Sequence, residues 1–224
     1  MLMVQLFICC ATSLALVLVQ YGAVVSARDT TDPKFHCSGV HPQQNLDLDQ
    51  VLGRWYAVEM VQHRDDTKHP KGKVVVDACP LLHLTRTDTN QIKLLWDEKA
   101  GKLEYNFHIQ DLINQPGYWL SYGAQNGSLL RMSYNQFAGT VEVTKAVGTH
   151  MVLTFCTPET ELYSVVMSRG KHLPKAELRG VNRMLEHREL QIFSIRETCK
   201  DSASFSLPNI MILSLAVILL TKFS

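Results

Sequence analysis

The chain has 224 residues, of which 46% are hydrophobic, and its 22 basic and 21 acidic side chains give a formal net charge of +1. This length suits one domain of ordinary size or two small ones. The near-neutral balance argues against nucleic acid or a strongly charged partner as the main target.

The first 27 residues differ in composition from the middle of the chain. Residues 2–25 are almost uniformly apolar, and the small residues Ser26 and Ala27 precede the charged pair Arg28 and Asp29. An apolar stretch that ends in such a cleavage site is typical of a secretory signal peptide, so residues 1–27 are predicted to be removed. The stretch lacks an N-terminal Lys or Arg and approaches membrane-spanning length, so an uncleaved anchor is the alternative.

The middle of the chain is predicted to consist of short β-strands. Apolar and polar residues alternate strictly over 103–110 and less cleanly over 92–97, with a short Gly-containing link between them, which indicates a hairpin. The apolar residues on one face of these two strands are Ile92, Leu94, Trp96, Leu103, Tyr105, Phe107 and Ile109. The other predicted strands are 54–61, 79–86, 118–122, 140–147, 150–156 and 162–169, with a possible extra piece at 128–134.

Eight short strands separated by tight turns predict a sandwich or a closed up-and-down barrel. One helix is predicted at 175–186, with Pro174 in its first turn, and a last strand is predicted at 191–196. The pattern contains no repeat and no low-complexity linker. Residues 28–201 are therefore predicted to form one all-β domain.

The C-terminal end also differs in composition from the middle of the chain. Asp201 and Ser202 open a cluster of small residues, and the strongly apolar run 210–220 follows. This run is shorter than the roughly 20 residues that a membrane-spanning helix needs. Small residues before a terminal apolar tail are typical of a GPI-attachment signal, so residues 202–224 are predicted to be removed, with Ser202 favoured over Asp201 as the attachment site. A short transmembrane anchor that includes 205–207 is the alternative.

Four cysteines lie between the two ends: Cys37, Cys79, Cys156 and Cys199. An even number in a secreted chain predicts two disulfides, with three possible connectivities. The separations are too wide for a zinc site, and no metal is predicted. Asn126 begins the only N-glycosylation sequon, Asn-Gly-Ser, and is predicted to carry a glycan on an exposed loop.

Three places in the chain resemble the lipocalin family. Residues 53–56 read Gly-Arg-Trp-Tyr, which is similar to the G-x-W-Y signature of the family's first strand. Residues 151–153 and 161–166 are similar to its second strand-turn-strand signature, although Thr-Pro-Glu-Thr at 157–160 replaces the usual T-D-Y. Arg169 closes the strand before the single helix. The resemblance covers nearly all of 28–201, and the cysteines make the chain similar to the insect subgroup of Lazarillo, apolipoprotein D-like and bilin-binding proteins.

This resemblance implies an eight-stranded antiparallel up-and-down barrel with one C-terminal helix packed outside. It implies the disulfides Cys37–Cys156 and Cys79–Cys199. It also implies that Gly53, Trp55 and Arg169 close the narrow end of the barrel, the guanidinium lying on the indole face. The seven apolar residues of the hairpin would line a ligand cavity. They would be joined by residues of the last barrel strand whose side chains lie on the same face of the strand as Arg169. These additional residues are Tyr163, Val165 and Met167.

The expected function is therefore extracellular binding or transport of a small hydrophobic ligand, such as a fatty acid, retinoid, sterol or bilin-type pigment, at the cell surface. A bilin would be bound non-covalently, and no other cofactor is expected. The alternative is a cell-surface adhesion or signalling protein that uses the barrel as a scaffold and binds a cell-surface receptor. An enzyme is not expected, because all four cysteines are predicted to be bridged and no G-x-S-x-G or phosphate-binding loop occurs.

Overall fold

The computed structural model describes Cys37 and residues 39–64, 79–131, 137–157 and 161–199. The predicted signal peptide, the predicted C-terminal signal and its attachment residue Ser202 lie outside the described residues. Within the described part, no helix is long and apolar enough to cross a membrane.

In the described residues, nine antiparallel strands form one sheet, and eight of them close into a barrel. Each strand from β2 to β7 pairs with the next one along the chain, and β1 closes the barrel by pairing with both β8 and β2. The ninth strand pairs with the second half of β1, outside the barrel. The strands are β1 (Gly53–Gln62), β2 (Leu81–Asp88), β3 (Gln91–Glu98), β4 (Gly101–Ile109), β5 (Tyr118–Ser121), β6 (Thr140–Ala146), β7 (His150–Thr157), β8 (Glu161–Ser168) and β9 (Ser194–Glu197).

Two hydrophobic clusters lie on the two sides of the barrel wall. Short helix α1 (Leu48–Val51) contributes Leu48 and Val51 to the cluster inside the barrel. The longer helix α2 (Lys175–His187) buries Val181 and Leu185 against the outer faces of β1, β7 and β8. The predicted fold class, an eight-stranded antiparallel barrel with one helix packed outside, is confirmed.

The prediction of a possible extra strand at 128–134 is wrong in the part of this segment that the structure describes. A 3₁₀ helix spans Ser128–Arg131. Gly127, with φ of +148°, turns the backbone so close to β4 that a Cβ there would overlap the carbonyl oxygen of Lys102. The Ser128 hydroxyl then accepts a hydrogen bond from the Lys102 N–H at 3.0 Å, and Leu129 packs into the barrel core. Local turn geometry therefore replaces strand pairing here.

Both disulfides join the cysteines that the resemblance implied. Cys37 is bonded to Cys156 on β7, and Cys79, just before β2, is bonded to Cys199 after β9. The first bond ties the N-terminal segment to the barrel wall and the second ties down the C-terminal segment. The four cysteines in the described part of the chain therefore provide no free thiol.

Candidate ligand-binding site

The ten residues predicted to line a cavity come together inside the barrel. Antiparallel pairing aligns the inward faces of neighbouring strands, so that Trp96 on β3 opposes Leu103 on β4, and Leu94 opposes Tyr105. Nine of the ten are buried in the inner cluster and Tyr163 packs against it partly buried. The set comprises Ile92, Leu94, Trp96, Leu103, Tyr105, Phe107, Ile109, Tyr163, Val165 and Met167. That these residues contact a ligand remains a prediction.

A continuous group of aromatic rings crosses the barrel interior. Tyr105 is its centre, with ring centroids 6.0 Å from Phe107, 6.3 Å from Phe137 and 6.1 Å from Phe155. The Phe155 ring stacks on Tyr163 with centroids 4.9 Å apart. Rings at these separations attract one another beyond the effect of area burial alone, by about 0.5–1.5 kcal/mol per pair. The interior therefore presents adjacent flat, apolar faces.

Several inward-facing residues were missed by the sequence patterns. Phe155 lies in β7, whose run from His150 to Cys156 is buried on both faces, so that alternation is absent. In β1 a bulge between Ala57 and Glu59 shifts the side-chain parity, which turns Met60 toward the interior as the partner of Val165. Phe137 lies before β6 and belongs to no strand. Trp55 and Ala57 show which face of β1 points inward, so knowledge of the bulge alone would have identified Met60 as an inward-facing residue.

Phe137 is positioned by a buried amide. The Gln125 side chain donates to the carbonyl of Phe137 at 2.6 Å and accepts from its N–H at 2.8 Å. Because one side chain satisfies both backbone groups of Phe137, the loop is fixed at this point without strand pairing. The Phe137 ring can then pack edge-on against Phe155, with centroids 5.4 Å apart.

Trp55 and Arg169 stack on one another at one end of the barrel, which is termed the closed end. The Arg169 guanidinium carbon lies 3.5 Å from the centroid of the Trp55 ring. The same guanidinium donates to the carbonyls of Arg54 at 3.0 Å and Gln50 at 2.7 Å, while the Trp55 indole donates to the carbonyl of Val51 at 2.8 Å. Gly53 has φ of +94°, and a Cβ there would lie 3.3 Å from the guanidinium. A side chain at position 53 would therefore be strained and would crowd Arg169.

The opposite end, where β1 ends at Gln62 and β8 begins at Glu161, is termed the open end. Near the closed end, Trp55, Phe107 and Trp119 are at most 1% exposed, whereas Leu48 retains 7% exposure and Leu52 is only partly buried. Toward the open end, Trp96 and Tyr105 retain 7–8% exposure, and Tyr163 is only partly buried. We define the open-end site as the six inner residues that retain exposure there: Met60, Trp96, Tyr105, Leu130, Phe137 and Tyr163.

The chemistry of the open-end site favours an apolar molecule. None of its six side chains is charged, and two phenols and one indole supply the polar atoms. Such a mixture of apolar surface and a few hydrogen-bonding groups is what sites for small organic ligands contain. No group of three His, Cys, Asp or Glu residues in the described ranges has the arrangement to hold a metal ion.

Comparison with known proteins adds little beyond this geometry. No protein-family model matches the chain, and no curated protein matches it. Among solved structures, the chain is similar to the siderocalin Ex-FABP, with 16% sequence identity over 69% of this chain and 97% of that chain, at a TM-score of 0.48. It is also similar to apocrustacyanin C2, with 12% identity over 69% of this chain and 79% of that chain, at a TM-score of 0.48. Both similarities are too distant to support an inference about ligand or function.

Proposed function

We propose that the barrel binds one small, largely apolar molecule at its open-end site. The observation that carries this proposal is the group of six uncharged, incompletely buried side chains that define the open-end site. Three of these residues, Tyr105, Phe137 and Tyr163, belong to the aromatic group inside the barrel. An eight-stranded barrel has an interior that is either filled by side chains or able to hold one small ligand. A fatty acid, a retinoid, a sterol or a bilin-type pigment has the apolar character that suits these side chains.

We also propose that the chain is a lipocalin of the insect subgroup that includes Lazarillo, apolipoprotein D-like and bilin-binding proteins. The support is the G-x-W-Y sequence at 53–56, the guanidinium stacked on Trp55 at the closed end, and the two disulfides. In this proposal Gly53, Trp55 and Arg169 stabilise the barrel and do not contact the ligand.

Ligand binding is tested by titrating the purified protein while following tryptophan fluorescence. Trp96 belongs to the open-end site, so a ligand there changes its emission. We expect saturable quenching by at least one of palmitate, retinoic acid, cholesterol and biliverdin. If none of the four changes the emission, and none is retained after gel filtration, the barrel serves as a scaffold for adhesion or signalling instead.

The proposed location is the outer face of the plasma membrane, with a GPI anchor at Ser202 and a glycan on Asn126. Two disulfides support an oxidising, extracellular compartment. The Asn126 side chain lies on the exposed surface, as attachment of a glycan requires. Phosphatidylinositol-specific phospholipase C should release the protein from intact cells, and glycosidase treatment should lower its apparent mass. Retention on the cells after phospholipase treatment would instead indicate the transmembrane alternative.

A further inference from the structure

Phe137 belongs to the open-end site but lies outside the strand ladder. β6 begins three residues later, at Thr140, whose partner is Cys156 on β7. Just before Thr140, Gly139 donates its N–H to the Ser121 hydroxyl at 2.9 Å and accepts from the Ser121 N–H at 3.0 Å. In the described part of the chain, no strand pairs with Phe137. Because buried backbone groups need partners, its N–H and carbonyl must find them elsewhere.

Gln125 supplies both partners through one side chain. Its Nε2 lies 2.6 Å from the carbonyl oxygen of Phe137, and its Oε1 lies 2.8 Å from the backbone nitrogen. A backbone N–H only donates and a carbonyl only accepts, so this is the one orientation of the amide that satisfies both groups. Gln125 and Phe137 are 7% and 8% exposed. The side chain therefore provides the two hydrogen bonds that an antiparallel strand partner would provide.

The backbone next to Gln125 is fixed to β4, beside the aromatic group. The Glu104 N–H donates to the carbonyl of Asn126 at 2.7 Å, and the Asn126 N–H donates to the carbonyl of Glu104 at 3.3 Å. Glu104 directly precedes Tyr105, the centre of the aromatic group. Gly127 passes so close to β4 that a side chain there would overlap it. The Gln125 side chain therefore reaches from an anchored point on β4 to the residues that lead into β6.

The two hydrogen bonds fix the backbone from which the Phe137 ring projects. The ring lies edge-on to two neighbours, at 76° to Tyr105 and at 73° to Phe155. Its position is thus set by its neighbours on one side and by the Gln125 amide on the other. A ligand at the open-end site meets a ring that is already ordered, which removes the entropic cost of ordering it during binding.

We propose that Gln125 is a positioning residue for ligand binding, which holds Phe137 as a preformed wall of the open-end site without contacting the ligand. This inference rests on the proposed function, because it concerns the same site. Without the amide, the backbone groups of Phe137 must turn to water, and the ring is in place for only part of the time. If that fraction is about one tenth, the apparent affinity falls about tenfold.

A double-mutant cycle tests this role, with affinities from tryptophan fluorescence. The probe is whichever of palmitate, retinoic acid, cholesterol and biliverdin binds the unmodified protein most tightly. Gln125→Leu keeps the size of the side chain but neither donates nor accepts, and it should weaken binding about tenfold. In a Phe137→Ala background, the same change should alter the affinity by less than about twofold, because the ring that Gln125 positions is already gone. Gln110→Leu, at the exposed position that follows β4, is the matched control and should leave the affinity unchanged.

Gln125→Glu separates the hydrogen bonds from the size of the side chain. A carboxylate accepts from the Phe137 N–H but cannot donate to the carbonyl, whereas the protonated acid does both. Burial favours the protonated acid as the pH falls. Measured against the unmodified protein at the same pH, Gln125→Glu should bind weakly at pH 8 and recover most of its affinity at pH 5. Gln110→Glu should show no such trend.

Two results would overturn the proposal: an unchanged affinity in Gln125→Leu, or effects of Gln125→Leu and Phe137→Ala that simply add in the double variant. Should Gln125→Leu fail to fold, the pH response of Gln125→Glu decides, and an affinity that does not recover at pH 5 contradicts the role. If none of the four probes binds the unmodified protein, the proposed function fails as well. Tight binding that is indifferent to Gln125 contradicts the positioning role alone.

Discussion

Glu142 is completely buried on the outer face of β6, and neither of its carboxylate oxygens has a hydrogen-bond partner. Burial raises its pKa from 4.5 to about 8, although the charge of Arg188 acts in the opposite direction. The folded protein therefore binds more protons than the unfolded chain between these values, and the contribution of Glu142 to stability decreases as the pH rises through this window. The difference between the two pKa values corresponds to a loss of roughly 4–5 kcal/mol at most in the free energy of unfolding.

We expect Glu142→Gln to reduce this loss of stability at high pH. Urea unfolding at pH 5, 7 and 9 should show the variant gaining stability relative to the unmodified protein as the pH rises, by a few kcal/mol over the whole range. Glu186→Gln, at an exposed position on α2, is the matched control and should show no such trend. Parallel pH profiles for Glu142→Gln and the unmodified protein would mean that the carboxyl is not neutral in the folded state.

Arg169 combines a cation–π contact with two hydrogen bonds to backbone carbonyls, and this combination depends on a flat guanidinium. A lysine keeps the charge but cannot stack on the indole and donate in two fixed directions at once. Arg169→Lys should therefore lower the free energy of unfolding by about 1–2 kcal/mol. Arg179→Lys, on the exposed face of α2, should change it by less than about 0.5 kcal/mol. Equal effects in chemical denaturation would show that the contact does not stabilise the closed end.

At the scale of single elements, the N-terminal segment that includes Cys37 and Gln43 lies across β6 and β7, and we call it the strap. Gln43 donates its N–H to the carbonyl of Val143 at 2.7 Å, and its side chain accepts from the N–H of Ala146 at 2.6 Å. The disulfide from Cys37 to Cys156 holds the start of the strap against the outer cluster.

Replacing Cys37 and Cys156 by alanine should lower stability by about 2–5 kcal/mol and increase hydrogen exchange at Gln43 and Ala146. The matched variant, with Cys79 and Cys199 replaced by alanine, should increase exchange in 190–199 and leave the strap protected. If both variants lose protection uniformly across the barrel, the disulfides stabilise the whole fold and the two segments are not independent.

The strands were predictable where one face is apolar and the other polar. β4 alternates strictly, and its predicted inward residues Leu103, Tyr105 and Phe107 all enter the inner cluster. β7 has no such alternation, because α2 and the strap cover its outer face, so Phe155 could not be assigned to the interior. The last strand was predicted to span 191–196, but it begins at Ser194. Residues 191–193 are irregular, because Leu190 packs into the outer cluster and the carbonyl of Gln191 lies against His63.

The site was predictable to the same extent as the strands that form it. The ten predicted residues share the interior, yet only Trp96, Tyr105 and Tyr163 belong to the open-end site. The depth of a residue in the barrel depends on the stagger of the strands, which the sequence pattern does not contain. Met60 required the bulge, and Leu130 and Phe137 required the conformation of the connection between β5 and β6.

At the scale of the whole molecule, the barrel separates two kinds of chemistry on the two faces of one wall. The inner face holds the aromatic group and the open-end site, and the outer face of β6, β7 and β8 holds the hydrogen-bonded hydroxyls of Thr144, Thr154 and Ser164. Because side chains alternate along each strand, Tyr163 faces the proposed ligand while its neighbour Ser164 contacts His63.

The most direct test of the central claim compares ligand binding by two tryptophan variants. Leu130→Trp adds volume within the open-end site, whereas Ile113→Trp adds the same indole at a loop position that is 90% exposed. For whichever ligand binds the unmodified protein, competition against a radiolabelled sample should give an affinity at least about tenfold weaker, or roughly 1.4 kcal/mol, for Leu130→Trp. Ile113→Trp should bind with unchanged affinity. Equal affinity in both variants, with both folded by circular dichroism, would place the ligand elsewhere and contradict the account.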